Sequence, residues 1–172
     1  SGAVVARMDT DGNFLWINSY FQDGIVHDCL IESDSSFIIT GYTDSTNTLF
    51  NNPLPLDYQP KLFMMKLGGT GEILWCKGYD GEPDWYTAHG QRIVRAQDGN
   101  YVLLANIGAD GYNIWYRPFL MKTDQNGDTL WTRSAGGGYT YSTADLLAYS
   151  DGGFLYDGVI FGNLPGGQTG LP

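Results

Sequence analysis

One ten-residue motif occurs three times along the chain and constrains its fold more than any other feature. The three copies occupy residues 7–16, 66–75 and 122–131. Each begins with Lys or Arg, carries Gly at its sixth position and ends in Leu-Trp. The three tryptophans lie 59 and 56 residues apart. Self-similarity at a fixed period of this order predicts an array of equivalent structural units.

A second motif follows each copy of the first. Residues 33–39, 97–103 and 150–156 each place Asp at the second position and an aromatic residue at the fifth. Both motifs contain Asp, Asn or Gly at the centre, and these residues tolerate the positive φ that tight hairpin turns require. Each unit therefore predicts two hairpins. We assign the chain to a single domain, residues 1–172, with repeats at approximately 1–60, 61–117 and 118–172.

The residues around these turns alternate between apolar and polar, which is the pattern of half-buried strands. The first unit predicts strands at Ala3–Met8, Phe14–Tyr20, Val26–Glu32 and Phe37–Tyr42, and no segment has the pattern of an amphipathic helix. The chain is therefore predicted to be all-β. Four strands per unit favour a β-propeller of four-stranded antiparallel blades. About three blade units are present, as a partial propeller of three sequential sheets. The order of the two motifs predicts a permuted chain, which begins with one half of a blade and ends with the complementary half.

Composition excludes several classes of partner. The 172 residues carry a net charge of −10, and the isoelectric point is near 4.3. Nucleic acid is not expected as a partner because binding a phosphate backbone needs a basic surface. The same charge disfavours an anionic membrane surface. No apolar stretch approaches the ~20 residues of a membrane span, so no membrane insertion is predicted.

The two cysteines, Cys29 and Cys76, occupy different positions in their repeat units. Cys76 directly follows a repeat tryptophan, whereas Cys29 lies in the other half of its unit. This placement does not imply a bridge, and we predict two free, buried thiols.

Residues 119–131, together with residues 36–43, resemble a family of secreted bacterial and archaeal β-propeller repeats. Its unit reads approximately DGGYIIAGYT followed by FLVKTDxNGDxLW. The resemblance extends over nearly the whole chain and implies the propeller fold. It also implies an extracellular or cell-surface location. The family has no shared catalytic residues, so the resemblance implies no reaction.

The repeat tryptophans Trp16, Trp75 and Trp131 are predicted to pack between blades in equivalent buried positions, because large aromatic residues can set the spacing between sheets. A weaker resemblance links Gly71 and Trp75 to the docking motif of quinoprotein propellers, which joins one blade to the next. The catalytic Asp, metal ligands and vicinal disulfide of those enzymes are not found in this sequence.

Metal and polar sites are weaker candidates. Asp9, Asp11 and Asn13 are similar to the start of a calcium loop, but the bidentate Glu of such a loop is missing and turn chemistry accounts for them. No cofactor is therefore predicted, with calcium as the alternative. Asp28, Arg92 and Asp145 each lie six residues before the Asp of the second motif. They fit either a structural role or the lining of a central channel.

Aromatic residues crowd the connections between repeats. The longer connections, at residues 43–60, at 108–118 and from 162 onward, are predicted to leave the array on one side, and repeat proteins often bind through such a side. Exposed rings there would stack on sugars or grip peptides; alternatively, they cap the blade ends. The candidate binding residues are Trp85, Tyr86, Tyr112, Trp115, Tyr116, Tyr139 and Tyr141.

The sequence thus predicts a non-catalytic binding or scaffolding module of a secreted or cell-surface propeller, with ligand contact through the blade-connecting loops. The alternative is a fragment of a carbohydrate-active or quinoprotein-like propeller enzyme, which would need converging carboxylates or a metal. The expected partner is a protein or a glycan at the cell surface. Three units also leave two open edges. These edges predict pairing with the remaining propeller blades or with a second copy of the chain.

Overall fold

The structure, a computed structural model, describes residues 2–44, 49–51, 60–79, 87–108, 116–134 and 139–161. These residues form an all-β fold in which every strand pair is antiparallel, as the sequence predicts. No helix in this part of the chain is long and apolar enough to cross a membrane. The strands are β1 Ala3–Met8, β2 Phe14–Phe21, β3 Gly24–Ile31, β4 Phe37–Asp44, β5 Pro60–Leu67, β6 Ile73–Tyr79, β7 Thr87–Arg95, β8 Tyr101–Gly108, β9 Tyr116–Thr123, β10 Thr129–Ser134, β11 Tyr139–Ala148 and β12 Phe154–Phe161.

The strands are grouped differently from the sequence repeats. Strands β3, β4, β5 and β6 form one meander, the first sheet, and β7, β8, β9 and β10 form another, the second sheet. Strands β1 and β2 form an N-terminal hairpin. Strands β11 and β12 form a C-terminal hairpin, which joins β9 of the second sheet through the single register pair Thr140–Tyr116.

The prediction of three sequential four-stranded sheets is therefore wrong in its grouping. Strands β4 and β5 pair along eight positions, from Phe37–Leu67 to Asp44–Pro60, across the predicted repeat boundary at residue 60. Each complete sheet combines the second half of one sequence repeat with the first half of the next. The turns fix the hairpins locally, but the pairing of β4 with β5 depends on contacts between residues far apart in sequence.

The two sheets and two hairpins stack face to face as four layers. Adjacent residues Ile38 and Ile39 of β4 are both fully buried, yet they belong to different cores. Ile38 faces the second sheet and Ile39 faces the N-terminal hairpin, because successive side chains of a strand point to opposite faces. A third core, including Val102 of β8 and Leu146 of β11, joins the second sheet to the C-terminal hairpin. The central strands are thus buried on both faces.

Tight turns connect the strand pairs at one end of the stack, which we call the turn end. Five of these turns place glycine at positive φ, and the sixth places Ser35 there at 65°. Strands β4 and β8 end, and β5 and β9 begin, at the opposite end, which we call the loop end. Cys76 is buried as predicted, but Cys29 is exposed, and both thiols are free.

Candidate functional site

The repeat tryptophans contribute to contacts between layers. The Trp16 indole Nε1 donates to the Gly69 carbonyl in the turn of the next layer, at 3.0 Å. Four residues after Trp16, the Tyr20 hydroxyl donates to the Gly71 carbonyl at 2.7 Å. A Cβ at Gly71 would lie 3.1 Å from the Trp16 ring, so glycine is needed where the indole covers the turn.

The same contact recurs one layer further along. The Tyr79 hydroxyl donates to the Gly127 carbonyl at 2.7 Å, and a Cβ at Gly127 would lie 3.1 Å from the Trp75 ring. All three repeat tryptophans are half-buried, so the prediction that they occupy buried positions is wrong. The indoles of Trp16 and Trp75 lie over the turns that contain Gly71 and Gly127. Trp131 packs against the third core, with the Arg133 guanidinium 5.9 Å from its ring centroid.

A row of four rings lies at the loop end and crosses from the first sheet to the second. The ring centroids of His27 and Tyr42 are 5.7 Å apart, and those of Tyr42 and His89 are 4.1 Å apart. His89 lies 5.7 Å from Tyr116, which completes the row. We call His27, Tyr42, His89 and Tyr116 the ring row. Its members come from β3, β4, β7 and β9.

Two backbone features place the ring row. Strand β3 has a bulge between Val26, which pairs with Gly41, and Asp28, which pairs with Thr40, so His27 is the extra residue. A bulge redirects the side chains around it. A Cβ at Gly41 would lie 1.8 Å from the Ile25 carbonyl oxygen, so only glycine allows β3 and β4 to approach this closely at the bulge.

Glycine also brings the second sheet close to the first. A Cβ at Gly90 would lie 2.6 Å from the Thr40 hydroxyl oxygen and 2.8 Å from the Gly41 carbonyl oxygen. Gly90 directly follows His89 on β7, and this close approach places the imidazole of His89 against the ring of Tyr42. The contact between the two sheets therefore depends on Gly90.

The imidazoles of the ring row are held neutral. Burial lowers the pKa of His89 to about 4, with a smaller contribution from His27. Partial desolvation of the His27 ring by its neighbours also lowers the pKa of His27, although the residue is exposed, and the positive charge of Arg92 lowers it further. At neutral pH both rings are therefore uncharged. A neutral imidazole offers one hydrogen-bond donor and one acceptor beside its apolar face.

The recurring polar position lies next to this row and links successive layers. The Asp28 carboxylate accepts a hydrogen bond from the Ile93 backbone N–H on β7, at 2.9 Å. The Arg92 guanidinium lies 3.4 Å from the Asp145 carboxylate on β11. These contacts give Asp28, Arg92 and Asp145 a structural role in joining β3 to β7 and β7 to β11.

The structure brings only part of the predicted binding set together. Trp85, Tyr86, Tyr112 and Trp115 lie outside the described residues. Tyr139 and Tyr141 belong to strand β11. Tyr116 is a member of the ring row. The sequence did not point to Tyr42, because the aligned positions in the other repeats hold Asn106 and Val159. One signal was available: the chain's two histidines both precede the second motif of their repeats.

The residues considered for calcium form a turn. The Asp9 carboxylate accepts hydrogen bonds from the Asp11 and Asn13 backbone N–H groups, at 2.9 and 2.8 Å. The Asn13 side-chain amide donates to the same carboxylate at 3.0 Å, and this hydrogen bond lowers the Asp9 pKa. Within the described ranges, no group of three or more His, Cys, Asp or Glu residues is arranged to hold a metal ion.

No protein-family model and no curated protein matches this chain. The resemblance to secreted propeller repeats therefore stays a prediction from the motifs. The arguments about function that follow depend on the geometry of the ring row and of the stacked layers.

Proposed function

We propose that the chain is a propeller segment that serves as a non-catalytic binding or scaffolding module at a cell surface or in the extracellular space. In this proposal, the first and second sheets are two complete blades, and each terminal hairpin is half of a further blade. The support is the face-to-face stacking of two four-stranded meanders. Propeller blades are four-stranded sheets of this kind.

The loop end is the proposed binding surface, and the ring row is the observation that carries the proposal. Four rings from four strands meet there, across the boundary between two sheets. His27 is exposed and Tyr42 is half-buried, so the row is accessible from solvent. Strands β6 and β8 end there, and Trp85, Tyr86, Tyr112 and Trp115 follow these strands in the sequence.

The chemistry of the row favours an uncharged glycan over an acidic ligand. Ring faces provide apolar area for the C–H face of a sugar, and neutral imidazoles provide hydrogen-bonding groups for hydroxyls. The net charge of −10 would repel a strongly acidic ligand. A protein partner at the cell surface is the competing outcome.

A glycan array probed with the full chain tests the proposal, followed by calorimetry with the best glycan. His27→Ala and Tyr42→Ala should each weaken binding at least about tenfold, since each removes a ring from the row. Phe14→Ala is the matched control because Phe14 is 59% exposed near the turn end. Its affinity should equal that of the wild type. Equal affinity in all the variants, or binding of no neutral glycan, would rule out the proposed glycan site.

A further inference from the structure

Three leucines form an exposed apolar row along the outer edges of successive layers. They lie on β2, β6 and β10, and each directly precedes a repeat tryptophan. Leu15, Leu74 and Leu130 are 55%, 52% and 52% exposed. Among the described strands, β2 pairs only with β1, β6 only with β5 and β10 only with β9, so all three leucines lie on edge strands. We call Leu15, Leu74 and Leu130 the leucine row.

A β-bulge at the same place in each hairpin carries the leucine. The pairing of β5 with β6 joins Trp75 to Lys66 and then skips Leu74, which is therefore the extra residue. The other two members of the row are skipped in the same way where β1 pairs with β2 and where β9 pairs with β10. A bulge redirects side chains and makes an edge strand a poor template for another strand. The row is therefore suited to contact through its side chains.

The leucines stay exposed even in the layers that are covered on both faces. Leu74 belongs to the first sheet, which packs against the N-terminal hairpin on one face and the second sheet on the other. Leu130 belongs to the second sheet, which packs between the first sheet and the C-terminal hairpin. Both side chains are nevertheless about half exposed. Stacking of the layers therefore leaves this position uncovered.

Successive leucines of the row lie one layer apart. The Trp16 indole donates to the Gly69 carbonyl in the turn before β6, and Trp75 lies over Gly127 in the turn before β10. These contacts hold β2, β6 and β10 side by side at the turn end. Packed sheets lie about 10 Å apart, and seven residues of an α-helix rise about 10.5 Å. A helix with an apolar side chain at every seventh position therefore matches the spacing of the row.

The turns beside the row are acidic. Two, one and two carboxylates, and no Lys or Arg, occur in the residues just before the three leucines, 9–14, 68–73 and 124–129. Hydrogen bonds from neighbouring turn residues lower the pKa of Asp9 and of Glu72, so both are ionised at neutral pH. Lys77 offsets the charge of Asp128, at 2.5 Å, and the turns remain negative. A partner with Lys or Arg beside its apolar residues is complementary to this surface.

We propose that the leucine row binds a basic amphipathic helix of a partner protein, which lies across the three layers and places one apolar residue against each leucine. Docking the apolar face of a helix on an apolar surface is a recurring mode of recognition. A second copy of the chain fits less well, because its own turns carry the same negative charge. The row lies at the turn end, so the inference does not rest on the glycan site proposed at the loop end.

Two labelled synthetic helical peptides test the site by fluorescence anisotropy with the full chain. The probe peptide carries Leu at every seventh position and Lys at the flanking positions, in an alanine background. The comparison peptide has the same composition, but its leucines do not follow the seven-residue spacing. The wild type should bind the probe peptide at least about tenfold more tightly than the comparison peptide. Binding should weaken as salt is added, because exposed charges are screened.

Variants of the row assign the binding to the leucines. Leu74→Ser should weaken binding of the probe peptide at least about fivefold, because it removes the central apolar contact. Replacement of all three leucines by Ser should abolish binding. Ile31→Ser is the matched control, because Ile31 is 71% exposed on β3, at the opposite edge of the first sheet from β6. Its affinity should equal that of the wild type. Circular dichroism checks that each variant is folded.

A charge variant completes the test. Glu72→Gln should weaken binding of the probe peptide about twofold to threefold and reduce its dependence on salt. Failure of the wild type to bind the probe peptide, equal affinity for the two peptides, or equal affinity of the triple variant and the wild type would overturn the proposal. Tighter binding of a peptide with Glu in place of Lys would also overturn it. Glycan binding should be unchanged in all these variants, so failure of one proposal is distinguishable from failure of the other.

Discussion

The first sheet and the N-terminal hairpin carry the same motif but differ in how many neighbours cover them. In the first sheet, Ile38 and Ile39 are buried on opposite faces. In the hairpin, Ala3 and Phe21 are buried toward the first sheet, while Val4 is exposed on the other side. The motif therefore specifies the hairpin locally, and stability comes from the layers on either side, as in other repeat proteins.

The largest expected effect compares two aligned core positions. Phe63→Ala should lower the free energy of unfolding by about 3–5 kcal/mol, because it opens a cavity between the first sheet and the N-terminal hairpin. Val4 occupies the position aligned with Phe63 in the repeats and is 59% exposed. Val4→Ala should therefore change the free energy of unfolding by less than about 0.5 kcal/mol. Urea denaturation of dilute protein measures both. Similar losses for the two variants would show that the two positions are equally covered.

Two turn glycines give the next contrast. Gly12 and Gly127 both have positive φ, at 85° and 79°. A Cβ at Gly12 would contact nothing, whereas one at Gly127 would lie 2.9 Å from the Tyr79 hydroxyl. Gly12→Ala should therefore cost about 1 kcal/mol, from backbone strain alone. Gly127→Ala should cost about 2–3 kcal/mol, because the added methyl group displaces Tyr79 and Trp75 in addition to straining the backbone. If thermal or urea denaturation gives the same loss of stability for both variants, the contact of Gly127 with Tyr79 and Trp75 does not stabilise the stack of layers.

The ring row predicts a dependence of stability on pH. The pKa of His89 is about 4 in the folded chain, below its ordinary value of 6.5, so the unfolded chain binds the proton more tightly. Stability is then full above pH 6.5 and falls as the pH decreases toward 4. At pH 5 the loss from His89 should reach at most about 2 kcal/mol. His89→Gln should lose less stability than the wild type between pH 7 and pH 5. The free energy of unfolding is measured by urea denaturation at each pH. If His89→Gln and the wild type lose the same stability between pH 7 and pH 5, His89 is not a buried, neutral imidazole.

The smallest expected effect concerns the ion pair of the second sheet, in which Lys122 lies 2.6 Å from Asp98. Asp98 is half exposed, so Lys122→Met should cost no more than about 1 kcal/mol. The loss should shrink further in high salt, because exposed charges are screened. Asp128→Asn, which removes the exposed partner of Lys77, is a comparison of the same kind. Met keeps an unbranched apolar stem, so a cost of several kcal/mol for Lys122→Met would mean that the charge and its hydrogen bond to Asp98 contribute far more than an exposed ion pair does.

The strands and turns were predictable because their signals are local. Ala3–Met8 was predicted with the bounds it has in the structure, since the alternation ends at an Asp-Gly turn. In the second unit the sequence pattern predicts a strand at Gln91–Ala96. Strand β7 begins four residues earlier, at Thr87. The residues that the prediction left out of this strand, 87–90, include Gly90. Glycine weakens a strand prediction, but here it permits the close contact between the sheets.

The register of β4 with β5 and the ring row were not predictable, because both depend on contacts between distant residues. Pairing of β4 with β5 joins residues on either side of a long connection. The position of His27 depends on a bulge, and that of His89 depends on how closely β7 approaches β4. The alignment of repeats gave the polar position at Asp28, but no local pattern indicates the bulge beside it.

Hydrogen exchange of the backbone amides tests the central claim, that complete sheets form across the repeat boundary and half-sheets remain at both ends. In dilute protein, amides of β4, β5 and β8 should exchange slowly on both sides of each strand. Among the described strands, β1 pairs only with β2 and β12 only with β11, so amides on their other edges should exchange quickly. Fast exchange between β4 and β5, or protection of β1 and β12 equal to that of β5, would contradict the account.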